Sequence, residues 1–322
     1  MRAIGGYFQL DQLIDKPYHK NLVELNTGRN ALLYLVKAKK IHKIYLPYFL
    51  CNSVSDMLSK HGVNFEYYHI GKDFSPIFEE KLKEDESLYI VNYYGQITDD
   101  KIRKFKEEYK NIILDNTQSF FQKPILGIDT IYSCRKYFGV PDGAYLSTNV
   151  VLDEILEEDQ SCSRMKHILG RYEGQASDFY NEFKKNDESF KELPIKKMSK
   201  LTRNILGAID YEKIIQSRNR NFEYLHGSLK HTNILDIKLP YGSFTYPYYV
   251  ENGIEVRKKL AQRKIYIPTL WPNVLKENRE GSIEYDYTAN ILPLPCDQRY
   301  GIEDMEHIVK ELKACLKSLE SI

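Results

Sequence analysis

The stretch Ile112-Ile113-Leu114-Asp115-Asn116-Thr117-Gln118-Ser119-Phe120-Phe121 decides the reading of the fold. Three aliphatic residues run straight into a carboxylate, an amide follows three positions later, and two aromatics close the segment. The aliphatic run reads as a buried strand. A carboxylate at its end is costly unless something cationic meets it. In open α/β sheets, the carboxyl ends of strands are also where ligand-binding groups collect.

The flanking sequence supplies the sheet. Asn26-Thr27-Gly28 punctuate the entry to a helix over 26–38, in which Ala31, Leu32, Leu35 and Val36 share one face. Strands are predicted at 41–49, 63–70, 87–95 and 111–115, and helices at 52–62, 75–85 and 98–110. This alternation is the signature of a mostly parallel α/β sheet. Two more strand-like pieces flank the turn Gly139-Val140-Pro141-Asp142-Gly143. Residues 151–230 read as long, polar and helical. Beyond them come strand-like segments at 235–240, 244–250, 266–271 and 291–295, a helix over 253–264 and a C-terminal helix. The division expected is a large α/β domain over 1–230, including that helical segment, and a small α+β domain over 231–322.

Composition narrows the class. Lys+Arg 46 against Asp+Glu 45 leave a net charge of +1, so no field favours nucleic acid or an anionic membrane. Cys51, Cys134, Cys162, Cys296 and Cys315 are odd in number and show no metal-ligand spacing, and no histidine motif joins them. No metal is expected, and the reading is a reducing, cytoplasmic compartment. The start of the sequence lacks a signal-peptide pattern and no apolar run is long enough to span a membrane. Nucleophile-elbow, Walker and dinucleotide-binding glycine motifs are absent.

What remains is a set of residues suited to a phosphorylated pyridine aldehyde. Such a cofactor needs a carboxylate to keep its ring nitrogen protonated, a lysine to take the aldehyde, and helix-terminal amides for its phosphate. Asp115 stands where the carboxylate belongs. Lys136 is the lysine candidate; its neighbour Arg135 cannot be deprotonated to react with a carbonyl. Ser133 offers a hydroxyl, and Gly28 and Arg29 offer amides at the start of the first helix. Taken singly, Asp115 reads as a cap or turn carboxylate, Lys136 as a surface lysine, Gly28 as a helix-entry glycine and Tyr94 as core. Their order along one α/β pattern is what joins them.

That order resembles the DegT family (DegT/StrS type) of nucleotide-sugar aminotransferases, of fold type I. The family's small-residue turn is echoed by Thr27-Gly28-Arg29, and its tyrosine-glycine segment after a strand by Asn92-Tyr93-Tyr94-Gly95. Its Asp-x-Ala-Gln motif is similar to Asp115-Asn116-Thr117-Gln118. Its lysine segment is similar to Ser133, Lys136 and Pro141-Asp142-Gly143-Ala144, and its late strand to Leu292-Pro293-Leu294-Pro295. Ser133 is nearer its lysine than in the family, and Arg29 replaces a small residue. Cys51 stands where an aromatic often stacks on the cofactor, with Tyr48 and Phe49 as neighbouring substitutes.

The resemblance implies pyridoxal 5′-phosphate held by Lys136, its ring nitrogen paired with Asp115, its ring against Gln118, and its phosphate near Gly28, Arg29 and Ser133. It implies a mixed seven-stranded sheet and a homodimer with shared active sites, to which Asn204 would contribute. Tyr94 and Asn204 are the weak substrate-side candidates. The implied reaction moves an amino group, with glutamate as donor, onto a nucleotide-linked keto sugar for surface polysaccharide or other glycan biosynthesis. The alternatives are a sugar dehydratase using the same cofactor, or a catalytically degenerate protein that binds the cofactor or a sugar nucleotide.

Overall fold

A computed structural model describes residues 4–277 and 280–320. Chain order is β1 (Val23–Leu25), α1 (Gly28–Lys39), β2 (Lys43–Pro47), α2 (Asn52–Lys60), β3 (Asn64–Ile70), β4 (Pro76–Ile77), β5 (Glu86–Val91), α3 (Asp99–Tyr109) and β6 (Ile112–Asp115). Then come β7 (Asp129–Ser133), β8 (Ala144–Ser147), α4 (Lys166–Glu173), α5 (Tyr180–Ser189), α6 (Lys200–Gly207) and α7 (Tyr211–Leu229). The C-terminal part holds β9 (Tyr246–Tyr249), α8 (Gly253–Gln262), α9 (Val274–Glu277), α10 (Ile283–Asn290), β10 (Ile291–Leu294) and α11 (Ile302–Glu320).

The large sheet has eight strands in the order β1-β8-β7-β6-β5-β2-β3-β4. Strands β7, β6, β5, β2 and β3 are parallel, and β8 is antiparallel to both β7 and β1. The carboxyl ends of β1, β2, β5, β6 and β7 therefore meet at one sheet edge. The strand order reverses between β2 and β5, which makes this edge a topological switch point, where open α/β sheets bind ligands.

Local chemistry explains the elements at that edge. Thr27 caps α1 by accepting from the Asn30 amide at 3.1 Å. The helix is then buried continuously from Asn30 to Val36, so it is packed beyond the single face that its periodicity predicts. All four residues of β6 are buried, including Asp115, as befits a strand covered on both faces. No helix among the described residues is long and apolar enough to cross a membrane.

Four expectations are corrected. The sheet has eight strands where seven were implied, because Pro76–Ile77 adds a short edge strand. The helix expected over 75–85 is absent: Phe78 turns into an aromatic cluster with Tyr45, Tyr68 and Tyr109, and Glu80 accepts from the Tyr45 hydroxyl at 2.9 Å. The 235–240 segment forms no strand, because the Gln96 side chain takes both backbone groups of Lys238, at 2.8 and 3.0 Å. Residues 266–271 are likewise irregular; Pro268 removes a ladder donor.

The two-stranded sheet β9–β10 has its own core, built from Phe222, Leu225 and Leu229 of α7 with Val256, Leu260, Met305 and Leu312. The first turns of α7 pack elsewhere, with Tyr211 and Ile215 among Phe120, Phe121 and Tyr137. One helix thus joins the C-terminal core to the side of the large sheet that carries Asp115 and Lys136.

Candidate active site

Asp115 closes β6 and is 7% exposed. Its Oδ1 accepts from the Thr117 amide at 2.8 Å and its Oδ2 from the Tyr89 hydroxyl at 2.8 Å. Burial pushes its carboxyl above the usual carboxylate range, against these hydrogen bonds and the charge of Lys136. The site thus holds a carboxylate that is short of positive charge.

Lys136 ends a three-residue 3₁₀ turn, Cys134–Lys136, that leaves β7. Lys136 is exposed at the surface, yet the protein around its amine still desolvates it. Desolvation lowers its pKa first and the neighbouring Arg135 charge second, opposed by Cys51, Asp187 and Asp115. Asp115 and Lys136 thus act on each other's ionisation from the ends of adjacent strands. Arg135 turns away, pairing with Asp187 at 3.2 Å and lying over the Phe190 ring.

The start of α1 faces the same place. A Cβ built on Gly28 would sit 3.7 Å from Ile131 Cγ2 and 4.0 Å from Ser133 Cβ, which is ordinary contact. Neither packing nor a left-handed backbone requires glycine there, and the amides at this helix start have no intrahelical partner. The Ser133 side chain makes no cap hydrogen bond. Arg29 forms no ion pair among the described residues, although its charge is felt by Arg135. Two amides, a hydroxyl and a guanidinium are therefore unspent around one helix terminus, a donor set that suits a phosphate dianion.

Other sequence candidates lie differently. Gln118 is buried, and its Oε1 accepts from the Tyr94 amide at 2.8 Å, bracing a turn in which Tyr94 has φ 55°. Tyr94 is 1% exposed against Phe74, so its ring belongs to the core. Asn204 is spent on the N-terminal segment: Oδ1 accepts from the Leu13 amide at 2.8 Å and Nδ2 donates to the Asp11 carbonyl at 2.9 Å. Tyr48 stacks on Tyr67, and Phe49 packs on Tyr93 and Trp271, which leaves Cys51 as the one of the three that acts on Lys136. Asp142 is fully buried and caps α6, accepting from the Ser199 amide and hydroxyl and from the Thr202 hydroxyl. A cavity of about 470 Å³ lined by Lys72, Ser282, Tyr285, Asp286 and Asn290 contains none of these groups.

Sequence reasoning missed Tyr89, Tyr137 and Arg218. Tyr89 sits inside a strand-like run and reads as core. Tyr137 and Arg218 are joined only by long-range contacts, for which local pattern has no signal.

The molecule is an open α/β protein whose strand ends bring a buried carboxylate, a lysine and the unpaired donors of a helix start to one edge. Solved structures share this fold. They include a DegT/DnrJ/EryC1/StrS aminotransferase from Brucella abortus, with a TM-score of 0.61 and 15% identity over 91% of this chain and 85% of that one. DesV from S. venezuelae gives a TM-score of 0.61 and 15% identity over 91% and 84%. The sugar aminotransferase CalS13 from Micromonospora echinospora gives 0.60 and 14% over 91% and 87%. No family model matches the chain. No curated protein matches it by sequence.

Proposed function

We propose that this chain is a pyridoxal 5′-phosphate-dependent aminotransferase that moves an amino group from glutamate to a nucleotide-linked keto sugar. The observation that carries the reading is that Asp115 and Lys136 lie at adjacent strand ends near enough for each to shift the other's ionisation, beside the unspent donors of Gly28, Arg29 and Ser133. The fold shared with CalS13 and DesV supports it, as does the cofactor-bound NtdA from Bacillus subtilis, at 15% identity and a TM-score of 0.62 over 92% of this chain and 73% of that one.

The residues fit the group. When bound, the cofactor supplies an electron sink for the substrate carbon. Asp115 holds the proton on the ring nitrogen, and that cation in turn relieves the cost of a buried carboxylate. Lys136, its ammonium form disfavoured by desolvation and Arg135, offers a neutral amine to the aldehyde and later carries a proton to and from the reacting carbon. Gly28, Arg29 and Ser133 hold the phosphate, and Gln118 fixes the turn beside the ring.

A homodimer and a place in glycan biosynthesis belong to the same proposal. Ile4, Tyr7, Phe8 and Ile14 are largely exposed on the N-terminal segment, which supports burial against a second copy. All five cysteines are free, in keeping with a reducing cytoplasm. The test is a half-reaction: glutamate added to the cofactor-loaded protein converts it spectroscopically to the amine form, and a nucleotide-linked keto sugar returns it. A loaded protein that no amino donor converts would end the aminotransferase reading.

A further inference from the structure

Tyr137 follows Lys136 directly and is held at both ends. Its hydroxyl donates to the Gln118 carbonyl at 2.9 Å, in the turn that leaves Asp115. Its carbonyl accepts from Gln298 Nε2 at 2.8 Å and from Arg218 Nη2 at 3.3 Å. The Arg218 guanidinium also lies 4.4 Å from the centre of the Tyr137 ring. One residue thus ties the Asp115 segment, the Lys136 turn, α7 and the loop after β10 together.

Arg218 is 2% exposed. Its remaining donors go to Gln298 Oε1 at 2.7 Å, to the Ser243 carbonyl at 2.7 Å and to the Phe244 carbonyl at 3.4 Å. It makes no ion pair among the described residues, and burial lowers its pKa. A buried cation without a counter-ion is costly, and an aliphatic residue would serve packing better. What an aliphatic residue cannot do is donate simultaneously to Tyr137, Ser243 and Gln298. The 3₁₀ turn needs that support, since its tight hydrogen-bond geometry is poor and it is only three residues long.

We infer that Arg218 and Gln298 are the positioning pair for Lys136: through Tyr137 they set the lysine turn against Asp115 and lock that spacing to the C-terminal core. The inference rests on the reading of Lys136 as the cofactor lysine. Arg218 acts through the backbone; the titratable and charged groups that bear on Lys136 are Arg135 on its own turn, Cys51 before α2, Asp187 on α5 and Asp115 at the end of β6. Releasing the turn lets the amine move away from Arg135 and from the surrounding protein that together disfavour its charged form.

The experiment is site-resolved amine modification of the full chain, cleared of carbonyl compounds, followed across pH by peptide mass. Exposed Lys81 serves as the internal reference. The variants are Arg218→Gln, Gln298→Ala and Tyr137→Phe, the last keeping the ring and carbonyl but losing the bond to Gln118. In each folded variant the Lys136 midpoint rises by about one pH unit, a tenfold loss of neutral amine at fixed pH, while Lys81 does not move. Should Arg218→Gln fail to fold, Gln298→Ala at a half-buried position carries the test alone. An unchanged Lys136 profile in a folded Gln298→Ala or Arg218→Gln protein overturns the inference. Because modification needs no cofactor, failure to trap pyridoxal phosphate on Lys136 would end the cofactor reading and leave this result standing.

Discussion

The Tyr89 hydroxyl donates to Oδ2 of Asp115 at 2.8 Å, from one strand to the next inside the sheet. This bond favours the ionised carboxylate, against the burial that raises the Asp115 pKa. Tyr89→Phe removes it. The acid limb of the kcat/KM profile then moves to higher pH, and stability falls by about 1–3 kcal/mol, the cost of an under-satisfied buried acceptor. A pH–rate profile with urea melts checks both; an acid limb that stays in place would mean that Tyr89 does not set the ionisation of Asp115.

Asp115→Asn separates charge from shape. A folded-state carboxyl pKa above the unfolded value gives stability that is present below the unfolded pKa and lost as pH rises through the folded one. In the cofactor-free chain, the variant therefore gains stability over the parent as pH rises through the Asp115 titration, and gains little in acid. Thermal melts across pH read this difference. Bound cofactor inverts the ranking, and turnover drops by orders of magnitude because the ring nitrogen loses its proton. Equal melts for parent and variant at every pH would count against a buried, ionised Asp115.

The proposed phosphate site makes a graded prediction. Arg29→Ala removes a charge-assisted contact worth about 1.5–3 kcal/mol, which weakens cofactor binding roughly tenfold to a hundredfold. Ser133→Ala costs less, since a neutral hydroxyl gives about 0.5–1.5 kcal/mol. Cofactor titration by absorbance measures both, and inorganic phosphate competes better with the parent than with Arg29→Ala. Identical affinities in all three proteins would place the phosphate elsewhere.

Gly143 tests the frame behind the lysine. It has φ +115°, and a Cβ there would stand 2.9 Å from Thr202 Cγ2 in α6, the helix that Asp142 caps. Gly143→Ala therefore destabilises the protein by about 1–3 kcal/mol through backbone strain and contact. Chemical denaturation decides the point. A neutral substitution would mean that α6 shifts freely relative to the Lys136 segment.

Much of this was legible in the sequence because the strand ends announce themselves. Asp115 ends an aliphatic run, and Lys136 precedes a Gly/Pro turn that must reverse the chain. The 75–85 segment misled because Phe78 and Leu82 share helical spacing, whereas the fold uses Phe78 in an aromatic cluster. Tyr94 fits a ligand-side motif yet is turned inward by its positive φ and its bond to Gln118. Asn204 looked like a partner-facing amide but holds Asp11 and Leu13 of its own chain. The Tyr137–Arg218–Gln298 contacts arise only from tertiary packing, so no local period reveals them.

In the proposed function, Lys136 takes the aldehyde of pyridoxal phosphate. Borohydride reduction of the loaded protein, digestion and mass mapping of the modified peptide test it most directly. The pyridoxyl mass is expected on Lys136, and it disappears from that peptide in Lys136→Ala. The same mass on another lysine, or on none, would contradict it.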